Sequence, residues 1–180
     1  MKRFTGLFSD IAMSGLLLFV LASPLAASPN SSAHPKTSGT DALARTADVI
    51  VVGRVAGLVH EWTSDHARIQ TRVTFAVDQT IKGADAGRNI TVIVPGGEVD
   101  GVGEWYSHTA RFMQDEDVVL FAKKDQSGSY RVAGGEEGKL TITKDARTGA
   151  RIVPQSGTVE QFTARIKSIL KSQDQNAIGK

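Results

Sequence analysis

Histidine is the first residue type to consider for metal chemistry, because the chain has four histidines and no cysteine. His60 and His66 flank a short polar segment, so they can face each other across a hairpin. Together with His108, or with a carboxylate such as Glu61 or Asp65, they would offer the donor set of a zinc site. The spacing matches no specific zinc motif, so we interpret them as surface histidines near strand ends, with no metal and no cofactor. A metal-dependent hydrolase using His60, His66 and His108 stays open as an alternative.

The other residue types that carry catalysis lack the context that their chemistry needs. No serine lies in a Gly-x-Ser-x-Gly elbow, which would expose a nucleophile on a sharp turn. The carboxylates of Asp115, Glu116 and Asp117, and of Glu136 and Glu137, lie beside predicted turns, where we expect them to be solvated. Acid–base catalysis requires a carboxyl group in a pocket that shifts its pKa. The sequence therefore predicts no catalytic residue, and an enzyme is the less favoured interpretation.

One long, glycine-rich segment, 96–111, concentrates residue types that bind partners. Long loops carry function more often than short ones, and Trp, Tyr and Arg are the residues that most often anchor interfaces. Stacking on a sugar or a peptide would suit the two aromatic rings. The candidate partner-binding residues are Glu98, Trp105, Tyr106, His108 and Arg111. The alternative is that Trp105 plugs one end of a barrel and belongs to the core.

The elements that must position these residues are short strands. Segment 49–59 is rich in Val and Ile and carries Gly53 and Gly57, which is typical of a bent strand. Segment 69–77 alternates between a mainly apolar face, with Ile69, Val73 and Phe75, and a mainly polar one, which favours an antiparallel sheet with one buried face. Six or seven such strands with glycine-rich turns predict an all-β fold, a small antiparallel barrel or sandwich.

The end of the chain predicts a helix. Thr158 and Gln161 fit a capping box, and Phe162, Ile166 and Ile169 recur at helical spacing. We expect a C-terminal helix over 157–173 that packs on the barrel of 41–156, followed by a frayed tail over 174–180.

The first residues predict export. Residues 1–27 combine a positive start, an apolar core too short to span a bilayer and small residues before a cleavage point, as in a signal peptide. Residues 28–40 are polar and contain two prolines, so we expect a disordered spacer. No later segment is apolar enough to cross a membrane, and a net charge of +2 gives no electrostatic basis for nucleic-acid binding. A secreted or periplasmic location follows.

Several fold motifs resemble those of a known group. The stretches are ADVIVVGRV, TRVTFAVDQTIKG, ITVIVPGGEV, EDVVLFAKK and YRVAGGEEGKLTI. They resemble secreted bacterial domains of unknown function, which are distantly similar to the netrin-module and tissue-inhibitor-of-metalloproteinase domains. The resemblance implies an OB-type barrel. Inhibitors of that group chelate zinc through an N-terminal cysteine, which this chain lacks, so the resemblance does not carry over their inhibitory mechanism.

These observations favour an exported, non-enzymatic binding domain whose partner is a protein or a glycan of the envelope or medium. Two alternatives stay open: a regulator or inhibitor of a secreted metalloprotease, and the histidine-based hydrolase named above.

Overall fold

The structure, a computed structural model, describes residues 39–83 and 86–178, with side chains up to residue 175. The predicted signal peptide, nearly all of the predicted spacer and residues 179–180 lie outside the described residues. The elements in chain order are α1 (Gly39–Thr46), β1 (Val49–Trp62), β2 (Ile69–Lys82), β3 (Asn89–Pro95), β4 (Gly97–Val99), β5 (Val102–Glu104), β6 (Asp117–Lys124), β7 (Tyr130–Val132), β8 (Lys139–Thr141), β9 (Thr143–Lys144), β10 (Arg151–Val153), β11 (Gly157–Thr158) and α2 (Val159–Ile178).

Five strands close into a barrel in the order β1-β2-β3-β7-β6, with β6 pairing back onto β1. All neighbours are antiparallel except β3 and β7, which run parallel and meet at Val92 and Tyr130. β8 pairs with the same edge of β6 as β7 does: β8 pairs with residues 118–120 and β7 with residues 122–124. This closed five-stranded barrel with a C-terminal helix is compatible with an OB-like fold, and it confirms the predicted fold class.

The bend of β1 makes closure possible, because β1 pairs with β2 along most of its length and with β6 over its first half. Its pairing with β2 shifts register at three places, one of them beside Gly53. A Cβ at Gly53 would lie 2.4 Å from the carbonyl oxygen of Ala76. Only glycine fits where the two backbones approach this closely.

Two apolar cores lie on the two faces of β1 and β6. Residues such as Val51, Phe75 and Leu120 fill the barrel interior. Residues on the other face, including Phe121, pack against the two helices. Both strands are therefore apolar at successive positions rather than at alternate ones, since neither of their faces meets water.

The two helices share the outer core. Leu43 of α1 and Phe162 and Ile166 of α2 belong to one buried cluster. Arg165 donates to Asp41 at 2.6 Å across the same pair of helices.

The predicted capping box of α2 is confirmed, and the helix, Val159–Ile178, starts two residues after the predicted 157 and ends beyond the predicted 173. The backbone N–H of Thr158 donates to Gln161 at 3.0 Å, and that of Gln161 donates to the Thr158 hydroxyl at 3.2 Å, which is a complete capping box. The helix continues to Ile178 rather than stopping at 173. Segment 173–178 contains neither glycine nor proline, so nothing in it breaks the helix before Gly179.

Neither helix of the described residues has the combination of length and hydropathy that a membrane-spanning helix needs.

Segment 96–111, which the sequence predicts to be one long loop, contains a hairpin. β4 and β5 pair antiparallel, with Val99 opposite Val102. The connecting Asp100 and Gly101 both have positive φ, 51° and 78°. An Asp-Gly pair between two strands is typical of a two-residue hairpin turn, because both positions require this conformation.

Candidate functional site

A cavity of about 390 Å³ opens at the end of the barrel where β1, β2 and β3 meet the segment that follows β5. This size lies within the range of small-molecule and side-chain pockets. Its lining residues are Leu58, His60, Thr71, Val73, Val94, Pro95, Gly96, Gly97, Trp105, Tyr106, Thr109, Ala110, Arg111, Phe112 and Met113. We refer to residues 105–113 as the cover loop.

The floor of the cavity is apolar. Val73 and Val94 belong to the barrel interior, with Leu58 packed against them. Phe112 of the cover loop inserts towards the same core and meets Phe75 edge-on, with ring centroids 5.2 Å apart. The cavity is therefore the open end of the barrel core, partly roofed by the cover loop.

Two linked hydrogen bonds, from His60 through Thr71 to Gly96, lie within this apolar surface. The buried hydroxyl of Thr71 donates to the Gly96 carbonyl at 2.6 Å, and Nδ1 of His60 lies 2.7 Å from the same hydroxyl. The Thr71 hydroxyl donates its only hydrogen to the Gly96 carbonyl. It therefore accepts a hydrogen bond from His60, whose Nδ1 carries the hydrogen. Nε2 of His60 makes no hydrogen bond within residues 39–83 and 86–178.

Gly97 leaves room for the hydrogen bond between His60 and Thr71. Its φ is 142°, and a Cβ there would lie 2.6 Å from His60 Nδ1 and 2.8 Å from Thr71 Oγ1. The sequence Pro95-Gly96-Gly97 thus does more than stop β3, because it allows backbone to pass beside the imidazole.

Glu104 fixes the near end of the cover loop. Its carboxylate accepts from the backbone N–H of Ile69 at 2.6 Å, from the Tyr106 hydroxyl at 2.6 Å and from Arg68 at 2.9 Å. These donors, the Ile69 N–H first, lower the pKa of Glu104 to about 2. The hydrogen bond from the Tyr106 hydroxyl to Glu104 raises the pKa of Tyr106. Tyr106 is thereby held against β2 at the cavity wall.

Glu116 fixes the far end. Its side chain is 6% exposed and pairs with Lys139 at 2.7 Å, while it accepts from Thr141 at 2.7 Å and from the Met113 N–H at 3.1 Å. Lys139 also donates to the Arg111 carbonyl. The expectation that these carboxylates are solvated is wrong for Glu116, and also for Asp117, whose side chain is 13% exposed and pairs with Arg54 at 2.8 Å. For Glu116, the physical reason is that Lys139 and Thr141 of β8 pair with β6 beside it.

The rim carries exposed apolar side chains. Trp105 is 60% exposed and Met113 is 67% exposed. The guanidinium of Arg111 lies 4.9 Å from the centre of the Trp105 ring, a cation–π contact. Large apolar groups that stay in water around a cavity are typical of binding sites.

Of the five candidate residues, Trp105, Tyr106 and Arg111 line the cavity and the other two do not. Glu98 is exposed on β4. His108 is exposed on the outer side of the cover loop, where its ring faces Glu136 at 3.6 Å.

The three barrel-domain histidines have separate surroundings. His60 lines the cavity, His108 faces Glu136, and His66 stacks on Trp62 with ring centroids 6.3 Å apart. Among residues 39–83 and 86–178, no three His, Asp or Glu side chains are grouped to hold a metal ion. The hydrolase alternative therefore finds no ligand set in the described chain.

Sequence reasoning missed most of the walls: Leu58, Thr71, Val73, Val94, Phe112 and Met113. Their signal was present only in part. Leu58 and His60 share a face of one strand, and the clean alternation of β2 puts Thr71 beside Val73. What joins them to residues 105–113 is the path of the cover loop, which no local pattern encodes.

The arrangement can bind an apolar group in a preformed recess and accept one hydrogen bond at His60, and it offers one guanidinium at the rim. No protein-family model and no curated protein matches this chain.

Proposed function

We propose that this protein is a non-enzymatic binding domain that captures a protein partner by taking one of its apolar side chains into the cavity at the barrel end. The observation that carries the proposal is the combination of an apolar floor, Val73 and Val94, with the exposed Trp105 and Met113 at the rim. Central apolar pockets with aromatic walls are where protein interfaces concentrate their binding energy.

A protein partner suits this chemistry better than a glycan. Sugars need many free hydrogen-bonding groups beside an open aromatic face. Here the Tyr106 hydroxyl already donates a hydrogen bond to Glu104. Arg111 lies over the Trp105 ring, so this face of the ring is not open to a sugar. Thr71 is likewise engaged on both sides. What is left for a ligand is mainly apolar contact.

The site is arranged before any partner arrives. Glu104 and Glu116 hold the two ends of the cover loop, and the Gln114 side chain donates to the Ala56 carbonyl at 3.1 Å. A partner then spends little free energy on ordering the loop, which favours affinity.

Two expectations from the sequence stay part of this proposal. From the signal-like residues 1–27 we propose that the domain acts in the periplasm or the medium, with a partner from the envelope or its surroundings. The similarity to netrin-type domains is a proposal about kinship, supported only by an OB-compatible barrel.

Binding to defined probes tests the function directly. We would titrate the protein with capped heptapeptides bearing a central Phe, Leu or Ser, and separately with oligosaccharides of the bacterial cell wall. Amide chemical shifts of residues 58–60, 71–73 and 105–113 report occupation of the cavity. We expect the Phe and Leu peptides to bind and the Ser peptide and the sugars not to bind.

Substitutions at the rim provide the control. Trp105→Ala and Met113→Ala should each weaken peptide binding by about tenfold, equivalent to loss of roughly 1.4 kcal/mol of apolar contact. Val102→Ala removes a side chain that is also half exposed but lies outside the cavity, so it should bind normally. Saccharide binding at these amides, with no peptide binding, would replace the protein partner by a glycan. Absence of both would reject the site.

A further inference from the structure

The second half of β1 is paired with another strand on one side only, although β4 lies near it at Gly97 and His60. β1 pairs with β6 through Val49–Arg54 and with β2 as far as Trp62. Val55 and Ala56 are still bonded to residues 114–116 on the β6 side. From Leu58 to Trp62, no strand of the described chain pairs with that edge.

The hydrogen-bonding pattern shows which backbone groups the edge presents. The Thr63 N–H donates to the Arg68 carbonyl across the turn, so these two residues form a hydrogen-bonded pair. Such pairs recur at every second residue of an antiparallel ladder, so the backbone N–H and C=O groups of Glu61 and Val59 also point towards β2. The intervening residues Leu58, His60 and Trp62 direct their N–H and C=O groups away from β2. Within residues 39–83 and 86–178, none of these backbone groups makes a hydrogen bond.

This edge lacks the features that usually protect one. Exposed edges are commonly blocked by proline, by lysine or by a bulge. The free stretch reads LVHEW, and Val59 in it is 54% exposed. Its one charged side chain, Glu61, is held back over β2 by Arg72 at 2.7 Å and Gln70 at 3.0 Å.

The free edge borders the cavity. Leu58 and His60 present outward backbone groups at the edge, and their side chains line the cavity wall. In an added strand, a side chain directly opposite either of them would have its Cβ about 5 Å away. A long apolar side chain at that position reaches the cavity while its backbone pairs with β1.

The positive charge at the rim favours a partner with a negative charge. Arg68 is neutralised by Glu104 and Lys139 by Glu116. Arg111 is exposed and contacts the Trp105 ring, and no carboxylate of the described chain pairs with it. An acidic residue on the partner would complete this pair.

We propose that the partner binds as an extended acidic peptide that adds a strand to the free edge of β1 at Leu58–Trp62. One apolar side chain enters the cavity and a neighbouring Asp or Glu pairs with Arg111. This inference rests on the proposed binding function and specifies the form of the partner. Main-chain bonds give such complexes affinity, and side-chain pockets give them specificity.

Three synthetic peptides separate the parts of the proposal. The reference is an acetylated and amidated heptapeptide with a central Phe, Val on either side of it, and Glu at the second and sixth positions. The second peptide carries N-methyl groups on alternate amides, which removes strand pairing and keeps the side chains. The third has Lys in place of Glu. Titration followed by amide shifts gives affinities, and hydrogen exchange reports the amides of Leu58, His60 and Trp62.

We expect the reference peptide to slow exchange at those three amides, and N-methylation to weaken binding by at least about tenfold. The Lys peptide should bind several-fold more weakly, and Arg111→Gln should abolish that preference. Arg147→Gln, the same charge change at an exposed turn outside the cavity, should retain it. Trp62→Pro removes one outward N–H and no β1–β2 bond, so a folded variant should bind more weakly.

The outcomes distinguish this inference from the function on which it rests. Cavity shifts without protection at β1, and an N-methylated peptide that binds equally well, would overturn strand addition and leave the binding function intact. Equal binding of the Glu and Lys peptides would overturn the acidic partner. A dimer that protects the same amides without peptide would assign the edge to a second copy of the chain. Binding of no peptide at all would reject both proposals.

Discussion

Replacement of Gly97 by Ala tests the contact on which the cavity wall depends. A Cβ at this position would approach His60 Nδ1 to 2.6 Å and Thr71 Oγ1 to 2.8 Å, which is closer than real Cβ contacts allow. Thr71 is buried and bonded to Gly96, whereas His60 is exposed. We therefore expect the imidazole to move away and its bond to Thr71 to break.

The expected loss of stability has two parts. An Ala at a φ of 142° costs about 1–2 kcal/mol in backbone strain. Loss of the His60–Thr71 hydrogen bond and of its packing costs roughly 1–2 kcal/mol more. The free energy of unfolding should thus fall by about 2–4 kcal/mol, and Tm by roughly 10 °C.

Gly101→Ala is the matched control, since its φ is 78° and nothing lies within 4 Å of an added Cβ. It should lose only the strain, about 1 kcal/mol. Urea unfolding followed by circular dichroism gives both values. Long-range ¹H–¹⁵N spectra should show His60 protonated at Nδ1 in the native protein and in Gly101→Ala but not in Gly97→Ala. Equal losses for the two variants, with the His60 tautomer unchanged, would refute the close approach.

Three further predictions concern the anchors of the site and the last helix. Lys139→Met takes the cation away from the largely shielded Glu116 carboxylate, which keeps its bonds to Thr141 and Met113, so we expect a loss of about 1–3 kcal/mol in urea unfolding. The double variant with Glu116→Gln should recover part of that loss, and equal losses would contradict a buried pair. The pKa of Glu104 is lowered from 4.5 to about 2 in the fold, so its stabilisation is complete above pH 4.5 and disappears as the pH falls towards 2. The stability gap between the native protein and Glu104→Gln should follow that course, and a gap independent of pH would count against it. Thr158→Ala removes the cap of α2 and should cost about 1 kcal/mol in thermal unfolding, whereas Thr158→Ser should cost little.

The sequence predicted the elements whose signal is local. The alternation over 69–77 predicts β2, and Thr158 with Gln161 predicts the cap of α2; both agree with the structure. The Asp100-Gly101 turn was also readable, because this dipeptide between apolar residues indicates a hairpin. The many glycines around this dipeptide predict a loop instead, and the pairing of β4 with β5 corrects that prediction.

The rest of the site depends on distant pairing. Glu116 was expected in water because nothing near it in sequence is its partner, and Lys139 comes to it only through the pairing of β6 with β8. His60 was considered only for metal chemistry, since its contact with Thr71 follows from the register of β1 and β2. Closure of the barrel at Val92 and Tyr130 likewise joins strands far apart along the chain.

The shared packing of α1 and α2 also sets the order in which the molecule can be completed. Synthesis delivers α1 before α2, yet Leu43 belongs to the same buried cluster as Phe162 and Ile166. Until α2 has been made, the outward face of β6 around Phe121 lacks its cover. A chain that reaches only as far as β11 therefore exposes this apolar face to water, and such exposed surface favours aggregation over completion of the fold.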